Sequence, residues 1–87
     1  MAKVLMYTRT VCPYCDQAKA LLKRYNVAID EVNIDADPSK AAEMIEKSQR
    51  RTVPQIFIND EHIGGCDDLY ALERAGKLKP KLETKEE

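Results

Sequence analysis

The sequence predicts an α/β domain with the element order β-α-β-α-β-β-α, built on a four-stranded mixed sheet with helices on both faces. Three observations lead there. A strand, a crossover helix and a second strand open the chain, which implies a parallel pair joined by a right-handed connection. Two short apolar runs late in the chain flank a polar turn and read as an antiparallel hairpin of the same sheet. Helical periodicity fills the stretches between and after these strands.

Each element has its own signal. "KVLMY" (residues 3–7) is a short buried strand. From Pro13 to about Tyr25, Cys15, Ala18, Leu22 and Tyr25 recur at helical spacing, with Asp16, Lys19 and Lys23 on the other faces. "IDEVNI" (29–34) alternates imperfectly through Ile29, Val32 and Ile34 as a second strand. Asp37-Pro38 starts a helix that runs to about Lys47, because aspartate caps free amides and proline fits the first helical position. "QIFI" (55–58) and "HI" (62–63) flank the polar "NDE" as a hairpin. "GG" (64–65) breaks the chain before a last helix, capped by Asp67 and closed near Gly76. The domain is expected to span 1–78, followed by a charged, frayed tail over 79–87.

Composition narrows the class of protein. With 87 residues the chain forms one domain with a modest core. Its net charge is -1 and both signs are interspersed, which argues against a nucleic-acid partner. The longest early apolar run, "VLMY", is too short for a membrane span or a signal-peptide core, so the expectation is a cytoplasmic protein with no membrane partner. Three cysteines exclude a fully paired disulfide framework.

Two of those cysteines stand three positions apart in "TRTVCPYCDQAK" (8–19). The first lies just beyond a strand and the second inside a helix. Cys12 therefore sits at a helix N-terminus, where free amides and the helix dipole favour a thiolate. Thiols so placed fall to about 3.5–7.5 from an ordinary pKa near 8.5, which makes Cys12 the nucleophile. Cys15 is one turn further in, more buried and within disulfide reach, so it suits the resolving role. Pro13 stiffens the turn without costing a helical hydrogen bond, and Arg9 adds positive potential just upstream.

Other uses of the pair stay open at this level. A structural disulfide would need an oxidising compartment. A zinc site would recruit Cys12, Cys15, His62 and Cys66, although a mid-hairpin His62 is ordinarily an exposed side chain. An iron–sulfur cluster shared between two protomers is the stronger metal alternative, with Pro13 stiffening the loop against it.

Two further stretches carry potential chemistry. Pro54 in "RRTVPQIFI" precedes a strand, where a proline belongs. An X-Pro bond there is ordinarily trans; a cis bond would turn the Val53 backbone outward to pair with an extended peptide. In "GGCDD" (64–68), free amides at a helix start could hold a carboxylate while Asp67 accepts a cationic amine, or the segment is only a linker and cap. Cys66 is either a second redox thiol or an inert small residue.

Taken together, "CPYC" after the first strand, "TVPQIFI" and "GGCDDL" resemble the glutaredoxins of the bacterial dithiol type, over nearly all of residues 2–78. The resemblance implies a thioredoxin-like fold, a cis Val53–Pro54 peptide, and glutathione-dependent thiol–disulfide exchange. Its substrates would be protein disulfides and glutathione mixed disulfides. Cys12 would be the nucleophile and Cys15 the resolving thiol. Arg9 would face the glycine carboxylate of glutathione and Tyr14 would line the groove. The backbone of Thr52 and Val53 would pair with the tripeptide, and Cys66 and Asp67 would hold its γ-glutamyl end. It further implies a monomer that binds no metal and no tight cofactor, with glutathione as reducing co-substrate. A cluster carrier, or a thioredoxin-like reductant recharged by a flavoprotein, is the alternative. Cys66 stands where many relatives have threonine, and the chain beyond Leu82 matches nothing in the family pattern.

Overall fold

The computed structural model describes residues 2–84. Its strands are β1 (Val4–Thr8), β2 (Ile29–Asn33), β3 (Gln55–Ile58) and β4 (Glu61–Gly64). Its helices are α1 (Pro13–Lys23), α2 (Pro38–Ser48), α3 (Cys66–Arg74) and α4 (Leu78–Glu83). The sheet order is β2-β1-β3-β4, with β1 parallel to β2 and antiparallel to β3. The mixed four-stranded sheet is the one expected.

Strand alternation divides the core between the two faces. Val4 and Met6 of β1 and Ile56 and Ile58 of β3 point to one side, where Ala18, Leu21 and Leu22 of α1 and Leu69 of α3 cover them. Tyr7 and Phe57 point to the other, against Ile34 and Met44, with Ala41 and Ile45 of α2 packed alongside. Asp37 caps α2 as expected, its carboxylate accepting the Ser39 N–H at 3.0 Å. The hairpin turns through Asn59 and Asp60, both at positive φ, the pattern of a tight two-residue connection.

Two expectations are corrected. The chain after Gly76 does not fray at residue 79: it forms α4, and Leu78 and Leu82 enter the core at 0% and 3% exposure. Leucines four apart share one helix face, so the charges around them line the solvent side. Ala2 donates to the Leu82 carbonyl, Asn59 reaches the Thr84 carbonyl, and Lys81 pairs with Glu61 at 2.8 Å. The folded unit thus runs through α4 instead of ending at 78; the last part of the expected tail, 85–87, lies outside the described residues. The second correction concerns α3. Its N-cap is Gly65, and the carboxylate that accepts the Gly65 N–H, at 2.9 Å, belongs to Asp68; Asp67 lies within the first turn.

Candidate active site

The C-terminal end of β1 delivers the chain into a loop tied to the end of β2 and the segment after it. Thr10 N–H donates to Asp35, and Asn33 donates to the Thr10 hydroxyl. The loop ends at Cys12, the N-cap of α1, in extended conformation at φ −151. Pro13 takes the first helical position. The Cys12 and Cys15 sulfurs are bonded, with their Cα atoms 5.2 Å apart. Cys12 Sγ also accepts the Cys15 N–H at 3.1 Å. A helix-terminal amide therefore already points at the atom that would carry negative charge in the reduced protein. Cys15 is 1% exposed and Cys12 9%, so Cys12 is the more accessible sulfur-bearing residue. Val11 and Tyr14, at 87% and 61% exposure, stand on either side of it in sequence.

Beside the dithiol lies a cleft of about 320 Å³, walled by three segments distant in sequence. Tyr14 comes from α1; Arg50, Thr52, Val53 and Pro54 from the loop before β3; Gly65, Cys66, Asp67 and Asp68 from the start of α3. The Val53–Pro54 peptide is cis. Among the described residues no hydrogen bond takes the Val53 main-chain N–H or C=O. The Thr52 carbonyl, in contrast, accepts from the Gln55 side chain at 3.0 Å, so it faces the protein and not a peptide in the cleft.

Of the residues singled out from sequence, Tyr14, Thr52, Val53, Pro54, Cys66 and Asp67 gather around this cleft. Arg9 does not line it; its side chain is exposed in the loop after β1. Burial, reinforced by Asp67, pushes the Cys66 thiol up and so favours its protonated form. His62 is not the exposed hairpin side chain expected: it is half-buried, and its Nε2 lies 2.8 Å from Gln55 Oε1. Among the described residues no group of three or more His, Cys, Asp or Glu is placed to hold a metal ion. None of their helices is long and apolar enough to cross a membrane.

Arg50 and Asp68 are the cleft residues that sequence reasoning missed. They pair at 2.9 Å across 18 residues of chain, so no local pattern announces them. The pair and the Gly65 N–H hold the Asp68 carboxyl below the usual carboxylate range. Asp68 had one legible signal, its place three residues after the helix cap, where an acidic side chain reaches back to the cap N–H.

Comparison with known proteins gives concordant matches. A family model described as Glutaredoxin matches residues 4–63. Glutaredoxin 3 of Escherichia coli strain K12 is 56% identical over 82 residues, which cover 94% of this chain and 99% of the relative. The solution structure of glutaredoxin from Brucella melitensis superimposes with a TM-score of 0.84 at 55% identity, covering 97% of this chain and 91% of that one. The crystal structure of a buckwheat glutaredoxin–glutathione complex superimposes with a TM-score of 0.86 at 31% identity, covering 93% and 76%.

Proposed function

This chain belongs to the glutaredoxin family of thiol–disulfide oxidoreductases, with a thioredoxin-like fold, and on that ground we propose that it draws its electrons from glutathione. Its substrates are protein disulfides and glutathione mixed disulfides, and it works as a monomer in the cytoplasm, the compartment that keeps a dithiol cycling. The cleft beside the dithiol carries this assignment. It offers an unpaired backbone edge at Val53, the amide-rich start of α3, and charges of both signs from Arg50, Asp67 and Asp68. Glutathione is an extended tripeptide with two carboxylates and one ammonium, and needs those partners.

The residues then take these roles. The Cys12 thiolate attacks a substrate disulfide, forming a mixed disulfide and expelling one substrate thiolate. Cys15 attacks Cys12 Sγ, closing the Cys12–Cys15 bond and releasing the second substrate thiolate, so two electrons have moved to substrate. One glutathione thiolate opens that bond at Cys12; a second takes the first as glutathione disulfide and restores the dithiol. Couples of this kind lie near about −200 to −230 mV, within reach of a cytosolic glutathione pool. Tyr14 forms the side of the groove, Val53 pairs with the tripeptide backbone, and Thr52 shapes the edge. Cys66 contributes its backbone amide and Asp67 its carboxylate to the γ-glutamyl end. Arg9, exposed outside the cleft lining, attracts the glycine carboxylate by its charge, and Arg50 supplies a second cation in the cleft wall.

The test is a coupled assay that compares glutathione with a flavoprotein thioredoxin reductase as electron source. Wild type turns over with glutathione, and Cys12→Ser abolishes this. Cys15→Ser retains reduction of a glutathione mixed disulfide but loses reduction of protein disulfides that need two thiols. Asp67→Ala weakens glutathione turnover. Full activity of Cys12→Ser would remove the nucleophile assignment, and turnover with the flavoprotein alone would make the protein a thioredoxin-like reductant.

A further inference from the structure

Behind the cleft wall, Gln55 is fully buried at the first position of β3, directly after the cis peptide. Its Nε2 stands 3.0 Å from the Thr52 carbonyl oxygen and 3.2 Å from the Thr52 hydroxyl. A carbonyl oxygen only accepts, so the amide must turn its NH2 toward Thr52. Its Oε1 then faces His62 Nε2 at 2.8 Å, and because an amide oxygen only accepts, that ring nitrogen must carry a proton. The chain of bonds has one direction: His62 donates to Gln55, and Gln55 donates to Thr52. The imidazole is held in place by Phe57, whose ring lies 5.1 Å away and is tilted by 39°.

We propose that His62 and Gln55 are positioning residues that hold the Thr52 carbonyl inward and so present the Val53 N–H and C=O to an extended, cysteine-bearing peptide in the cleft. The proposal rests on the cleft being the glutathione site. Neither side chain lines the cleft; both act through the loop that does. Without the amide donor the Thr52 carbonyl loses its inward partner, and the peptide units before the cis bond are free to rotate away from the pairing geometry. Binding of the tripeptide backbone weakens, while the sulfur chemistry at Cys12, which touches none of these groups, does not.

Steady-state kinetics with a glutathionylated peptide test this on two substitutions of one residue. His62→Leu removes the imidazole donor; His62→Gln places an amide N–H near where imidazole Nε2 stood but loses the ring against Phe57. His62→Leu is expected to raise KM by about two- to tenfold, the worth of one net hydrogen bond, with kcat and the pH profile of Cys12 alkylation unchanged. His62→Gln is expected to recover most of that loss. Thermal melting confirms that each variant is folded under assay conditions. Equal KM values for wild type and His62→Leu, or equal losses in His62→Leu and His62→Gln, would overturn the proposal. Nitrogen-15 spectra of the wild-type imidazole supply a second reading that needs no variant: the neutral ring must carry its proton on Nε2, and a proton on Nδ1 overturns the relay. Failure of the glutathione assignment looks different, as wild type would then show no saturable turnover of the peptide and Asp67→Ala would change nothing.

Discussion

Replacing Gly64 with alanine should disturb both the stability of the domain and its cleft. Gly64 sits at φ +117, a conformation that residues with a Cβ rarely adopt. A Cβ built there would stand 2.3 Å from Asp68 Oδ2, 2.7 Å from its Cγ and 3.0 Å from its Cβ. No rotation of the carboxylate alone relieves all three contacts, so the whole Asp68 side chain must leave. It then gives up the Gly65 N–H at the start of α3 and the guanidinium of Arg50, each at 2.9 Å. The backbone conformation costs about 1–3 kcal/mol. The lost cap bond adds about 0.5–1.5 kcal/mol. The ion pair is half-exposed and contributes little. Gly64→Ala is therefore expected to destabilise by about 1.5–4.5 kcal/mol, a fall in Tm on the order of 6–36 °C for a domain of this size. Urea and thermal unfolding measure it, alongside the double-mutant cycle with Asp68→Ala. With the carboxylate already gone, only the backbone cost and the 3.0 Å approach to the residue-68 Cβ remain, so the two changes should couple by about 0.5–1.5 kcal/mol. A loss below about 0.5 kcal/mol, or strict additivity in the cycle, would refute the steric and capping account.

Two other outcomes follow from the fold. Leu82→Ala should cost about 2–5 kcal/mol in urea unfolding, since it hollows the core beneath α4; a neutral effect would restore the picture of a frayed tail. The second concerns acid. Burial disfavours the His62 imidazolium and Arg50 repels it, Asp68 working the other way, so its pKa lies below the ordinary value of 6.5. The neutral ring's contribution to stability is complete above the unfolded value and is lost as pH falls through the lowered folded value. Wild type should thus lose more stability than His62→Gln between about pH 7 and about pH 5 in urea titrations; parallel losses would contradict the shift.

What the chain states locally and what folding adds differ in kind. The helix start at Asp37-Pro38, the strand–CPYC–helix junction and the hairpin at 55–63 are readable because each depends on neighbours within a turn or a strand. Cys12 could be placed at a helix N-terminus from its position between a strand and a helical pattern, and the structure puts a helical amide on its sulfur. The tail was misread because its charges masked two leucines whose shared face only matters once a core lies beneath it. Arg50 with Asp68, and His62 with Gln55, carry no such local mark. They meet because β3 lies between β1 and β4, which brings the loop before β3 against the start of α3 and sets the hairpin's second strand behind that loop. The sequence by itself thus determined the placing of the cysteine pair at a strand-to-helix junction and the order of elements as far as Gly76, through caps, periodicity and spacing. The walls of the cleft and the direction in which the Thr52–Val53 backbone faces were decided only by tertiary structure, because they depend on hydrogen bonds between residues that the sheet, not the chain, makes neighbours.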